Sequence, residues 1–366
     1  MSKKINIAVL FGGRSGEHEV SLMSARSVLS VLDKEKYNII EIGITHEGRW
    51  LTGEKVLDAF VSGKIADLQE VILKPEPGDN NLYTVQGQTL NKFASIYVAF
   101  PVLHGTFGED GTLQGYFELA DIAYVGAGVL ASSVGMDKAL FKDVMRTHQI
   151  PVVDSIVVTR IELENDMDSV IHHSEALCDY PIFVKPVNMG SSVGISKCKN
   201  RSDLLEGLMD AARFDRRILI EKGINGREIE VSVLGNYAPK ASVAGEVIPS
   251  DDFYSYRAKY IDDSSELIIP AKIPADTMRL VQDYAVRAFE AIDGAGMARI
   301  DFLLDKDTGE VFLNELNTIP GFTKISMYPK LWEASGIPYP ELVDQLIALG
   351  IERKAERDRI ERKYKG

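Results

Sequence analysis

The sequence is poor in the features that mark secreted, membrane-bound and metal-thiolate proteins. It has only two cysteines among 366 residues, Cys178 and Cys198, and their spacing matches no zinc motif. No apolar run reaches the length of a membrane span. The N-terminus runs directly into a strand and a glycine turn, which is typical of a domain start and not of a signal peptide. We therefore expect a cytoplasmic protein with reduced thiols and no membrane partner.

Positive charge is outnumbered by negative charge. Lys and Arg total 41 against 54 for Asp and Glu, which gives a formal net charge of −13. A nucleic acid or an anionic membrane would repel such a chain, so we expect neither as a partner. A nucleotide substrate is still compatible with this charge, because one phosphate pocket needs only local positive charge.

The chain length and the strand–helix–strand pattern of the first 45 residues predict several α/β domains. A chain of 366 residues is too long for a single small core. Strands at 5–11 and 37–45, with an apolar-striped helix between them, form a βαβ unit whose ligands are expected at the strands' carboxyl ends. Gly12, Gly13 and Gly16 do not make the G-x-G-x-x-G fingerprint. An NAD-dependent oxidoreductase is therefore an alternative that rests on this loop alone.

The most informative chemistry lies in residues 297–317. Apolar and polar side chains alternate from 298 to 304, and a turn at 307–309 leads into a second strand at 311–316. Such a hairpin would bring Asp301 beside Glu315, with Asn317 just beyond and Arg299 on the same face. These hard oxygen ligands suit Mg²⁺ with substrate phosphates, and the arginine can stabilise charge in a transition state. A solvated hairpin with ordinary surface charges is the alternative.

Glycine-rich loops supply further candidate contacts. Lys185 ends a strand just before GSSVG at 190–194, a loop that can bind phosphate oxygens or can be an ordinary hairpin turn. His104 lies in a second such loop, at 101–115, where a ligand role and a structural role fit equally well. Glu17 lies at the mouth of the first helix, where it can meet a substrate ammonium or merely complement the helix dipole.

The last third contains a candidate lid and two candidate helices. Residues 250–263 carry four aromatic side chains between acidic ends, a composition that fits a functional lid better than a disordered linker. We expect helices at 330–334 and from 339 or 340 to Gly350. The charged run after Gly350 is expected to form a solvated helix with pairs such as Asp358 and Arg362.

Together these motifs resemble the D-alanine–D-alanine ligase family of ATP-grasp enzymes, from about residue 5 to residue 350. The resemblance is carried by FGGRSGEHEVS, HGTFGEDGTLQG, MDK, VKPVNMGSSVG, RAKY, RIDF, NELNTIPGF and the pair Ser326-Met327. It implies an α/β ATP-grasp fold of three domains. These are an N-terminal Rossmann-like open sheet that binds substrate (1–130), a central ATP-binding domain (131–222) and a C-terminal catalytic domain with the lid (223–350), followed by a charged helical tail (351–366).

The resemblance also implies a role for each matching residue. The catalytic group is Glu17, Ser191, Arg299, Ser326 and Tyr260, with Glu17 binding the ammonium of the first D-alanine in a triad with Ser191 and Tyr260. The substrate-binding group is His104, Gly321 and Met327. The ATP-binding group is Lys138, Lys185, Ser192, Glu221, Ile224, Glu228, Phe253 and Lys259. Asp301, Glu315 and Asn317 would hold two Mg²⁺ ions, for which Mn²⁺ can substitute.

The implied reaction joins two D-alanines at the expense of ATP, through a D-alanyl phosphate, for peptidoglycan precursor synthesis. A homodimer is implied as well. Tyr260 and Met327 favour D-alanine as the second substrate, and a ligase of the same fold that uses D-lactate or D-serine is the alternative. Lys324 and Ile325 depart from the commoner family pattern. They directly precede Ser326, so the departure bears on the geometry of the second-substrate site. A protein that binds nucleotides without catalysing a reaction is the alternative to an enzyme.

Overall fold

The computed structural model describes residues 4–190, 193–248 and 266–362. Five residues with predicted roles lie outside the described residues: Ser191, Ser192, Phe253, Lys259 and Tyr260. The predicted lid at 250–263, which contains the last three, lies outside them as well.

The N-terminal part is built on a mixed sheet of eight strands. They are β1 (Ile5–Gly12), β2 (Tyr37–Ile44), β3 (Trp50–Thr52), β4 (Gln69–Leu73), β5 (Asn81–Gln86), β6 (Thr89–Ser95), β7 (Val98–Pro101) and β8 (Ala123–Tyr124), in the order β6-β5-β4-β3-β2-β1-β7-β8. The helices of this part are α1 (His18–Val31), α2 (Val56–Ser62), α3 (Thr112–Leu119) and α4 (Val129–Met136). β1 pairs in parallel with β2 and β7, so the predicted βαβ unit is confirmed. The loops after β1 and β7 therefore meet at one edge of the sheet.

The central part has a four-stranded antiparallel sheet. Helix α5 (Lys138–Thr147) leads into it, and its strands are β9 (Ser155–Thr159), β10 (Ile182–Pro186), β11 (Ser196–Cys198) and β12 (Arg217–Lys222), in the order β11-β10-β12-β9. Helices α6 (Arg160–Asn165), α7 (Met167–Leu177) and α8 (Arg201–Phe214) belong to the same part, and its core includes Ile182, Val184, Leu208 and Ile220.

A five-stranded antiparallel sheet follows. Its strands are β13 (Gly226–Gly235), β14 (Lys240–Ile248), β15 (Glu266–Ile268), β16 (Gly296–Asp305) and β17 (Val311–Asn317), in the order β15-β14-β13-β16-β17. Helix α9 (Ala275–Ala291) packs on it. Ala298, Ile300, Phe302 and Leu304 are buried in this sheet's core, as the alternation predicts. The predicted hairpin of β16 and β17 is confirmed.

The helix predicted to begin at Lys330 begins three residues earlier, because α10 spans Met327–Ala334. Pro329 lies inside its first turn. The first N–H groups of a helix have no intrahelical acceptor, so a proline costs no hydrogen bond there. The predicted start at Lys330 is therefore wrong, and Pro329 belongs to the helix.

The last helix does not end at Gly350 but continues, since α11 spans Tyr339–Arg357. A Cβ atom on Gly350 would lie 2.6 Å from the carbonyl oxygen of Tyr124, so this glycine allows the helix to approach β8 closely. The predicted solvated tail is also wrong in its first turns. Arg353 and Arg357 pair with Glu118, although the predicted pair of Asp358 and Arg362 is present at 3.5 Å.

Helix α11 packs against the N-terminal sheet although it follows the third sheet in sequence. Its buried side chains Leu342, Val343, Leu346 and Ile347 share one hydrophobic core with Ile7 and Val9 of β1. The three sheets lie within the segments 1–130, 131–222 and 223–350. The exact domain boundaries remain a prediction.

Candidate active site

Three carboxylates lie side by side across the third sheet. Glu230 on β13 is in register with Asp301 on β16, and Asp301 is in register with Glu315 on β17. Asn317 lies on the same face and donates a hydrogen bond of 3.1 Å from its Nδ2 to Asp301 Oδ2. A β-bulge between Asp301 and Phe302 shifts the register just beyond this row. The prediction that the hairpin brings Asp301, Glu315 and Asn317 together on one face is therefore confirmed, and their role as metal ligands stays a prediction.

Arg299 lies within this row. It is two residues before Asp301 on β16, and its guanidinium donates two hydrogen bonds to that carboxylate, at 2.7 and 2.6 Å. The same group is 3.0 Å from Glu230 Oε2. Glu230 was not predicted, although the sequence shows Glu228, Glu230 and Ser232 alternating with apolar residues along β13.

A large cleft lies between the central and third sheets. Its volume is about 1100 Å³, which is enough for a nucleotide. Of the predicted site residues that the structure describes, seven line it: Lys138, Lys185, Glu221, Ile224, Glu228, Asp301 and Glu315. The fold therefore brings to one cleft residues that lie up to 177 positions apart along the chain, from Lys138 to Glu315.

A smaller cavity adjoins the cleft on the side of the N-terminal sheet. Glu17, His104, Arg299, Asn317 and Gly321 line it. Lys138 and Glu315 line both spaces, so the nucleotide-sized cleft and the smaller cavity adjoin at these two residues.

Glu17 is buried at the N-cap position of α1, and it makes no capping hydrogen bond there. Two glycines leave room for its carboxylate. A Cβ atom on Gly105 or on Gly190 would collide with Glu17 Oε2. The glycine loops of the N-terminal and central parts thus meet at this carboxylate, which places a negative charge where a small cationic group can bind.

His104 connects the N-terminal sheet to the turn after β17. Its Nδ1 donates to the carbonyl of Ile319 at 3.0 Å, and its Nε2 is 2.9 Å from the hydroxyl of Ser24. Ser24 in turn accepts a hydrogen bond from the backbone N–H of Phe322. Burial lowers the pKa of His104 to about 4, so the ring is neutral at neutral pH. In this structure His104 positions the turn that contains Gly321.

Glu109, which has no predicted role, strengthens the same connection. Its carboxylate accepts hydrogen bonds from the N–H of Gly105 at 2.8 Å and of Ile319 at 2.9 Å. Desolvation of the carboxyl group, with the nearby charge of Glu17, raises the pKa of Glu109 to about 8. The HGTFGED motif holds this residue, but nothing in the motif reveals its distant partner at Ile319.

Glu221 is buried and engaged by two lysines. Lys142 pairs with its Oε1 and Lys185 with its Oε2. Burial alone would raise the pKa of Glu221, but these two positive charges outweigh it and hold the pKa at about 2. Lys138 lies one helical turn before Lys142 and donates to the carbonyl of Met189 at 2.6 Å. The sequence did not identify Lys142, because a lysine on an amphipathic helix is usually exposed.

Ser326 and Met327 line neither space among the described residues. The hydroxyl of Ser326 accepts from the N–H of Thr323 at 2.9 Å, and the side chain of Met327 is buried against Val247 and Leu331. Any substrate contact at Met327 would therefore use its backbone N–H at the start of α10.

Two protein-family models match most of the chain. Residues 6–127 match "D-ala D-ala ligase N-terminus", and residues 144–348 match "D-ala D-ala ligase C-terminus". Among curated relatives, the D-alanine–D-alanine ligase of Heliobacterium modesticaldum is 51% identical over 97% of both chains. That of Natranaerobius thermophilus is 48% identical over 98% of both.

Solved structures of the same fold agree. The D-alanine–D-alanine ligase from Coxiella burnetii is 37% identical with a TM-score of 0.83, and the match covers 98% of this chain and 97% of that one. The VanG D-Ala:D-Ser ligase from Enterococcus faecalis is 34% identical with a TM-score of 0.84, over 95% of this chain and 100% of that one. These likenesses confirm the predicted α/β ATP-grasp fold. With two family descriptions and near-full-length relatives in agreement, the chain belongs to the D-alanine–D-alanine ligase family.

Proposed function

We propose that the protein joins two D-alanines into D-alanyl-D-alanine with the conversion of ATP to ADP and phosphate. One observation carries this proposal. A cleft large enough for ATP adjoins a small cavity lined by Glu17, and Lys138 and Glu315 line both of them. A phosphoryl group at that junction would be within reach of a substrate carboxylate in the small cavity.

The oxygen ligands of the third sheet suit Mg²⁺. Glu230, Asp301 and Glu315 carry three negative charges and Arg299 one positive charge, which leaves a formal charge of −2 on this face. Carboxylate and amide oxygens with open positions for phosphate are what Mg²⁺ prefers. Asp301, Glu315 and Asn317 would hold two such ions, and Mn²⁺ would substitute. The ions would neutralise charge on the phosphates of bound ATP.

The first step transfers the γ-phosphoryl group of ATP to the carboxylate of the first D-alanine, giving D-alanyl phosphate and ADP. Such a transfer depends mainly on positioning and on electrostatic stabilisation. Lys138 and Lys185 project into the cleft and would bind the phosphates, while Glu221, Ile224 and Glu228 would contact the adenosine. Ser192, Phe253 and Lys259 complete the proposed ATP site.

The second step is attack by the amine of the second D-alanine on the acyl phosphate, with phosphate as the leaving group. Glu17 would bind the ammonium of the first D-alanine, together with Ser191 and Tyr260. The oxyanion of the tetrahedral intermediate would be stabilised by Arg299 and the backbone N–H of Gly321, which line the same cavity. Ser326 and Met327 would hold the carboxylate of the second D-alanine.

The setting of this activity is also proposed. The product would serve peptidoglycan precursor synthesis in the cytoplasm, and the enzyme would work as a homodimer. Within the part of the chain that the structure describes, we find no helix with the length and apolarity to span a membrane.

The test is ADP release by the purified protein with ATP and Mg²⁺, with and without D-alanine. L-Alanine, D-lactate and D-serine serve as alternative substrates, and the product is identified by mass. ADP release that requires D-alanine and yields the dipeptide is expected. ADP release that requires D-lactate or D-serine as well would show a ligase with another second substrate, and no release with any of these compounds would overturn the proposal.

A further inference from the structure

Four side chains form a chain of polar contacts at the wall of the nucleotide-sized cleft. Lys142 on α5 pairs with one oxygen of Glu221 on β12, and Lys185 on β10 pairs with the other. Lys185 Nζ is also 3.5 Å from the side-chain oxygen of Asn314. Phe183 is in register with Glu221, so Lys185 reaches the carboxylate diagonally across two strands.

The two lysines differ in where they lie. The side chain of Lys142 is only 2% exposed, and Lys142 is absent from the described residues that line the cleft. The side chain of Lys185 is 12% exposed and does line the cleft. Lys185 can therefore contact a ligand in the cleft, whereas Lys142 pairs with Glu221 and is not among the described residues that line the cleft.

This difference has an energetic consequence. A buried carboxylate that loses its last positive partner is strongly destabilised. If Lys185 turned toward a phosphate and Glu221 had no second partner, the unpaired carboxylate would weaken the binding of the phosphate. Lys142 prevents this loss of affinity, because it keeps Glu221 paired while Lys185 contacts the phosphate. Burial lowers the pKa of Lys142, and the adjacent charge of Glu221 opposes that effect.

We propose that Lys142 is a positioning residue for ATP, acting as the permanent counter-ion of Glu221 so that Lys185 is released to bind phosphate. The proposal rests on the proposed function, but it concerns nucleotide binding and can fail separately from it. It assigns Lys142 no contact with ATP, with either D-alanine or with a metal ion.

The test compares Lys142→Met with the wild-type enzyme in two assays. Equilibrium binding of ATP is measured without D-alanine, and steady-state kinetics are measured with it. We expect Kd and KM for ATP to rise at least tenfold, with kcat at saturating ATP and KM for D-alanine within threefold of wild type. Unchanged ATP binding, or a large fall in kcat with unchanged KM, would overturn the proposal. A wild-type enzyme that binds ATP but joins no D-alanines would instead contradict only the proposed function.

A second comparison holds even if Lys142→Met fails to fold. In the Glu221→Gln background no buried carboxylate needs a partner, so adding Lys142→Met should change Kd for ATP by less than threefold. A tenfold loss there would show that Lys142 acts independently of Glu221. Arg146→Met is the matched control. It removes a positive charge from the same helix, where Arg146 is 42% exposed and pairs with Asp143, and it should leave ATP binding unchanged.

Discussion

Asp301 and Glu315 lie directly opposite each other on two antiparallel strands, so their carboxylates share one face of the third sheet. Replacing Glu315 with Gln keeps the shape of this face and removes one of its charges. Because Mg²⁺ binds carboxylates far better than amides, we expect ADP release to fall at least a hundredfold at any Mg²⁺ concentration. The melting temperature should change little.

Glu310→Gln is the control for that variant, since Glu310 is an exposed residue of the same hairpin. Both variants are assayed for ADP release across a Mg²⁺ titration. Wild-type turnover in Glu315→Gln would remove Glu315 from the metal site.

Gly190 makes room for the carboxylate of Glu17. A Cβ atom there would lie 2.7 Å from Glu17 Oε2, so Gly190→Ala should displace the proposed ammonium-binding group. We expect KM for the first D-alanine to rise at least tenfold while Kd for ATP changes less than threefold. A Cβ on Gly16 meets no atom within 4 Å, so Gly16→Ala should keep the wild-type KM. Equal effects of the two alanines would contradict this account of the Glu17 pocket.

His104 should make stability depend on pH. Its pKa is about 4 in the folded protein and about 6.5 when unfolded, so only the unfolded chain takes up this proton between those pH values. The contribution of His104 to stability is therefore present above pH 6.5 and is lost as the pH falls toward 4, by up to about 3 kcal/mol.

His104→Gln should accordingly lose less stability than wild type between pH 6.5 and pH 4. The measurement is the free energy of unfolding in urea across this range, taken as the difference between the two proteins so that shared carboxylate titrations cancel. His173 is exposed, and His173→Gln should follow the wild-type curve. A parallel fall in all three proteins would contradict a buried neutral His104.

Gly350→Ala tests the close approach of α11 to β8. Alanine favours helix by about 1 kcal/mol over glycine, but its Cβ would overlap the backbone of Tyr124. We expect a net loss of about 1 to 3 kcal/mol in the free energy of unfolding. Gly115 lies within α3, and a Cβ there meets no atom within 4 Å. Gly115→Ala should therefore stabilise the protein, and stabilisation by both alanines would remove the packing argument.

Local sequence patterns determined the elements and part of the site. The alternation from Ala298 to Leu304, followed by the turn after Asp305, was enough to predict the hairpin and the pairing of Asp301 with Glu315. A two-residue period and a turn act over short distances, so they can be recognised without tertiary contacts. The order and spacing of the glycine-rich motifs then identified the family.

Tertiary structure alone decided which polar groups have buried partners. Glu109 meets the N–H of Ile319, and Lys142 meets Glu221, through contacts between elements that lie far apart in the chain. The same is true of Gly350, which allows a helix to approach a strand where the sequence suggested a helix end. A charged or glycine residue carries no local sign of such a partner, since burial and the sign of a pKa shift depend on what the rest of the fold brings beside it.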